Sequence, residues 1–159
     1  MDKYNEKVIE KFKNPKNMGE IKDADGKGKI GNLICGDVMV LYIKVGLNSQ
    51  KKETIKDIKY QTFGCVAAIS TSSMVTELVK GKTIEEATKI NKKDVLDALD
   101  GLPSAKIHCS VLAVDALHES IYDYLTRNNK EVPETLKEIH SRIEKSNNIF
   151  KEKNIDEGK

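Results

Sequence analysis

Hydrophobic and polar positions follow two periods along this chain, and the period changes near Cys65. Tyr4, Val8, Ile9 and Phe12 recur at helical spacing, which predicts an amphipathic helix. It stops at "NPKN", where Pro15 biases Asn14 away from helix. A charged, glycine-rich loop, "KDADGKGKIGN", comes next. Three strands are then predicted, at about 29–34, at 37–45 ("DVMVLYIKV") and at 54–63 ("TIKDIKYQTF"), the last two joined as a hairpin by "GLNSQKKE". Ile58, Tyr60 and Thr62 alternate with Lys59 and Gln61, so one strand face is covered and the other is wet.

From Cys65 the pattern turns helical. "CVAAISTSSMVTELVKG" reads as a helix with small residues on its first turns, closed by Gly81. "TIEE" at 83–86 is a capping box that starts a short helix at Thr83. Asn91 with Asp94 caps another that ends near Gly101. A long helix is predicted over 105–127, with Ile107, Val111, Val114, Ile121 and Leu125 on one stripe. A last one over 133–150 turns Leu136, Ile139, Ile143 and Phe150 inward, and "KEKNIDEGK" is expected to fray. Strands followed by packed helices make an α+β layout: a small three-stranded antiparallel sheet with several helices and an additional C-terminal helix.

Composition narrows the function. A chain of 159 residues is long enough to bury a core without cross-links. Its net charge is only +2, and its positive charge is almost all lysine, with Arg127 and Arg142 as the two arginines. Planar, bidentate recognition of phosphate and guanine favours arginine, which argues against a nucleic-acid reader. No apolar run nears the roughly 18 residues of a membrane span. The N-terminus carries acids and bases from its second residue, unlike a secretory or transit signal, so a cytoplasmic location is expected. Three cysteines cannot close a disulfide framework, and in a reducing compartment separated thiols point to ligands or reagents.

Each cysteine stands at a break between elements. Cys35 opens "CGD", where Cys35 and Asp37 face one point in extended chain. Cys65 follows Gly64 at a strand-to-helix turn, and Cys109 lies in the first turn of the long helix beside Lys106 and His108. A helix N-terminus carries about half a positive charge, and a neighbouring lysine adds to it. Both favour the thiolate, the form that binds metal and attacks sulfur. The cysteine spacing matches no zinc finger. Adjacent residues of a regular helix diverge by about 100°, so His108 and Cys109 are not expected to share one chelate unless the turn is irregular.

"CGDVM" at 35–39, "FGCVAAISTSSM" at 63–74 and "LPSAKIHCSVLAVDAL" at 102–117 closely resemble the three signature segments of the IscU/NifU-type iron–sulfur cluster scaffolds. "YNEKVIEKFKNPKNMGEI" is similar to that family's opening helix and turn. The resemblance covers about residues 3–127 and implies an IscU/SufE-like scaffold domain over 1–127, with a C-terminal helical extension over 128–159. It implies that Cys35, Cys65 and Cys109 hold a transient 2Fe-2S cluster, with Asp37 or His108 in the fourth position and zinc a candidate occupant of the cluster-free form. It implies a scaffold and carrier without enzymatic turnover, on which Cys109, supported by Lys106, accepts sulfur as a persulfide. The implied partners are a cysteine desulfurase (IscS/NifS type), an iron or electron donor protein and acceptor apoproteins. Self-association into a homo-oligomer across shared clusters stays open.

The chain departs from the family twice. Its bacterial members show "LPPVK", read by an Hsp70-type chaperone, where "LPSAK" stands here; Pro103 and Lys106 remain, while Ser104 and Ala105 put that partner in question. The extension carries no cysteine, so the cysteine-rich middle domain of the longer nitrogen-fixation members is absent from this sequence. An alternative is a zinc-bound, SufU-like sulfur acceptor that activates a desulfurase. That branch has a longer insert between the second and third cysteines and lacks the histidine of "KIHC". A structural zinc domain explains the ligands but not the lability that Asp37 implies.

Other patterns carry less. "DADGKGKIGNLI" imitates a calcium loop, but Lys27 and Ile34 replace acidic ligands, so a polar loop is expected. His118 falls on the apolar stripe and reads as a packed, hydrogen-bonded core histidine; His140 reads as a helix-boundary residue. The hydroxyls at 70–73 have no base placed beside them and read as packing residues. A Cys109–His108 hydrolytic pair lacks an orienting third group.

Overall fold

The computed structural model describes residues 3–31 and 36–157, with side chains as far as 146. Helix α1 (Glu6–Lys13) leads into an antiparallel sheet of β1 (Gly26–Gly31), β2 (Val38–Leu47) and β3 (Glu53–Phe63), in the order β1-β2-β3. Helices α2 (Val66–Val79), α3 (Ile84–Thr88), α4 (Lys92–Ala98), α5 (Ile107–Arg127) and α6 (Glu134–Glu157) follow. This is the α+β layout expected, and among the described residues no helix is long and apolar enough to cross a membrane.

Local sequence explains the boundaries. Asn5 caps α1 by accepting from the Val8 amide, so Tyr4 precedes the helix instead of lying on its inner face. Val8 is buried, whereas Phe12 is 39% exposed. Both predicted capping boxes are present, at Thr83–Glu86 and Asn91–Asp94. Gly81 and Gly101 take positive φ at the chain reversals that follow α2 and α4.

Strand β1 starts at Gly26, earlier than the 29 expected, and so replaces most of the predicted polar loop and the calcium-loop imitation. The reason lies across the interface with α5. A Cβ on Gly26 would collide with the Ser120 carbonyl, and one on Gly28 would collide with the Ala116 carbonyl and stand 2.7 Å from the Ser120 nitrogen. The glycines let the strand backbone lie directly on the helix backbone.

Helix α5 is the central strut. The sequence predicts one apolar stripe, but Leu112, Ala113, Ala116, Leu117, Ser120 and Tyr124 are buried as well. It packs against β1, β2, α2, α4 and α6, so most of its circumference is covered. His118 is buried as expected, yet among the described residues neither ring nitrogen has a hydrogen-bond partner; the carbonyls of Thr88 and Ile90 lie nearby without closing a bond. His140 is no boundary residue. It sits inside α6, stacked on Tyr122 at 3.8 Å, with Nδ1 2.8 Å from Glu119 Oε1. Leu136 and Ile143 of α6 are buried; the side chain of Phe150 lies outside the described set. The helix runs to Glu157, past the end near 150 that the sequence predicts.

Candidate metal-thiolate site

Strand register brings the site together. Val38 of β2 pairs with Phe63 of β3, and Gly31 of β1 pairs with Val38. The residues just outside those pairs, Asp37 and Gly64–Cys65, therefore lie side by side at one end of the sheet. Cys65 is the N-cap residue of α2, in extended backbone and without a side-chain capping bond, so its sulfur is not committed to its own helix. A Cβ on Gly64 would stand 2.9 Å from Asp37 Cγ; glycine is what lets the buried carboxylate lean across this turn.

The third contributor arrives with α5. Pro103 starts a short 3-10 turn, Ser104–Lys106, and the helix continues from Ile107. His108 and Cys109 fall in its first turn. Contrary to the expected divergence, Cys109 Sγ lies 3.6 Å from His108 Nε2. Regular geometry is broken at the helix entrance, where the 3-10 turn ends at Lys106 with φ −115° and ψ 3°.

Four donors converge. Cys65 Sγ is 3.7 Å from Cys109 Sγ, and the two sulfurs lie 3.8 and 3.9 Å from the same oxygen, Asp37 Oδ2. One donor atom each from Asp37, His108 and Cys109 lies within 4.8 Å of the other two. In a tetrahedral metal site with bonds of about 2.0–2.3 Å, ligand atoms stand roughly 3.3–3.8 Å apart. The distances from Cys109 Sγ to the other three donors, 3.6–3.9 Å, are thus close to the ligand spacing of a single four-coordinate ion. Cys35 lies outside the described residues.

Two further groups share this electrostatic field. The charge of Cys65, then that of Tyr4, holds the Lys106 ammonium above its usual range. Burial, then the charge of Cys65, raises the Tyr4 phenol. Sequence reasoning missed Tyr4 here because its spacing fits a helix face. The signal that could have found it is Asn5, a strong N-cap residue that leaves Tyr4 outside the helix. The buried hydroxyls of α2 bond to main chain, Thr71 to the Ala67 carbonyl and Ser72 to the Ala68 carbonyl, both at 2.7 Å; they let the helix pack closely behind the thiols. A cavity of about 760 Å³ lies away from the site, between α3, the end of α5 and the start of α6.

Fold and donor set together define a small α+β domain with thiol, carboxylate and imidazole gathered at one sheet end. The NifU-like N terminal domain family matches residues 3–131, and the chain belongs to that family. It is 58% identical over 127 residues to the iron-sulfur cluster assembly scaffold protein IscU 1 of Archaeoglobus fulgidus, covering 80% of each chain. The scaffold protein IscU of Aquifex aeolicus is 46% identical over 127 residues, 80% of this chain and 79% of its own. The N-terminal NifU-like protein of Brucella abortus superposes with a TM-score of 0.59 at 17% identity, over 78% of this chain and 95% of that one, which shows the shared fold.

Proposed function

We propose that the protein is a scaffold on which a labile 2Fe-2S cluster is built from iron and desulfurase-derived sulfur, and from which the cluster passes to acceptor apoproteins. The observation that carries this reading is the cluster around Cys109, whose sulfur lies 3.6–3.9 Å from His108 Nε2, Cys65 Sγ and Asp37 Oδ2, in a chain whose relatives are named as such scaffolds. Stable clusters are held by four thiolates; a carboxylate is a harder ligand and suits iron and sulfide less well. A pocket that mixes both grips its cargo loosely enough to release it. Cys35, two residues before Asp37, would supply the third thiolate.

Sulfur delivery follows from thiol exchange chemistry. The Cys109 thiolate attacks the outer sulfur of a persulfide on the desulfurase; the donor S–S bond breaks, a new one forms at Cys109, and the donor cysteine leaves as thiolate. Lys106 supports the anionic reactant by its charge. The spacing of the donors also supports zinc or a single ferrous ion as the first occupant. That favours, as a second reading, a zinc-bound sulfur acceptor that activates a desulfurase. The further partners we infer are an iron or electron donor protein and the acceptor apoproteins. The cytoplasm, where thiols persist unpaired, is the compartment that fits.

Anaerobic incubation with ferrous iron, cysteine and a cysteine desulfurase tests the assignment. The expected product absorbs in the visible through sulfur-to-iron charge transfer, and Cys65→Ser and Cys109→Ser each abolish the band. A protein that keeps colourless zinc and acquires no chromophore is the sulfur acceptor instead.

A further inference from the structure

Helix α6 begins at Glu134, beyond the matched residues 3–131, yet it reaches the site. A cavity of about 230 Å³ opens beside His108. Leu112 and Asp115 of α5 form one wall, Arg142, Ile143 and Ser146 of α6 form the facing wall, and the end of β1 closes the floor. His108, Leu112 and Asp115 share one face of α5, at successive turns. Arg142 grips the nearly buried Asp115 with both guanidinium arms, at 3.0 and 2.9 Å. That bidentate pair fixes both distance and angle between the helices, and Ile143 beside it is buried in the core.

We infer that α6 is a wall of the metal-thiolate site supplied by the chain itself, docked by the Asp115–Arg142 pair, and that Arg142 is a positioning residue setting how readily a bound metal escapes past His108. The inference rests on the proposed reading of His108 and the thiols as ligands. Arg142 does not touch the donors. It acts by holding Ile143 and Ser146 over the side from which water and competing ligands reach the imidazole. When the wall is in place, exchange at His108 must proceed through a cavity a few water molecules wide; when it swings away, the imidazole edge faces solvent.

Cobalt(II) is the probe, read through thiolate-to-cobalt charge transfer and visible ligand-field bands, with loss to a chelator followed by stopped flow. The full-length wild type is compared with Arg142→Ala, with Asp115→Asn/Arg142→Ala, which leaves no unpaired carboxylate, and with Arg142→Lys. Lys137→Ala, on the exposed face of α6, is the control. Hydrogen exchange over 134–146 is measured in parallel. Expected are severalfold faster cobalt loss and faster exchange in α6 for both alanine variants, partial rescue by lysine, and an unchanged control. Cobalt loss at the wild-type rate despite faster α6 exchange overturns the wall, as does faster loss with α6 exchange unaltered. No change in either quantity overturns the clamp. A wild type that shows no thiolate-to-cobalt band overturns the ligand reading, and this inference with it.

Discussion

Asp37 shows how much one residue can decide. It is buried at the sheet end, and both described thiols lie within 4 Å of its Oδ2. A carboxylate is the hardest donor in the group and the natural corner from which a soft cluster detaches. On the proposed ligand set, Asp37→Ala therefore yields a longer-lived cluster that transfers more slowly to an apoferredoxin, by severalfold in the rate of acceptor reconstitution. A transfer rate equal to wild type removes Asp37 from the exit route. The sequence made Asp37 a candidate by its place two residues after Cys35. The approach of His108 to Cys109 was not legible, because it depends on an irregular helix entrance after Pro103 that side-chain periodicity does not encode.

At the scale of elements, glycine marks where backbones touch. Gly26 and Gly28 read as loop residues because their neighbours are charged and no apolar alternation runs through them. Lys27 and Lys29 are exposed while Gly26 and Gly28 face α5, so Ile30 is the one side chain on the strand's buried face. Hydrophobic patterning is blind to such a face, and this is why β1 was placed too late. Gly28→Ala is expected to destabilise the fold by about 2–3 kcal/mol, since the added methyl meets main-chain atoms of Ala116 and Ser120 that cannot turn aside. Chemical denaturation checks it; a loss under about 0.5 kcal/mol, the range of ordinary surface changes, contradicts the close packing. The starts of α3 and α4 were by contrast readable from Thr83–Glu86 and Asn91–Asp94, because a cap is a local bond between neighbours in sequence.

The whole molecule adds what neither residue nor element carries: which groups end up buried together. The α+β class follows from the change of period, but the covering of α5 on nearly all sides follows from assembly, and it traps His118. That ring lies between α5 and the segment after α3, with the carbonyls of Thr88 and Ile90, the Asp115 carboxylate and the Arg142 guanidinium around it. Burial lowers its pKa from the usual 6.5, outweighing the attraction of Asp115. In the unfolded chain His118 takes up a proton as pH falls through about 6.5; in the folded protein it stays neutral to lower pH. The unfolded state then binds more protons, so His118 makes the protein lose stability on acidification from neutral pH, by at most about 1.4 kcal/mol per pH unit. His118→Leu, which fills similar space without a titrating group, removes that slope. Urea midpoints between pH 7 and 5.5 are the measurement. The wild type should fall further than the leucine variant over this interval, and parallel lines would mean that the folded protein protonates His118 as easily as the unfolded chain does. All other ionisable groups are common to both proteins, so the difference between the two lines isolates the buried ring.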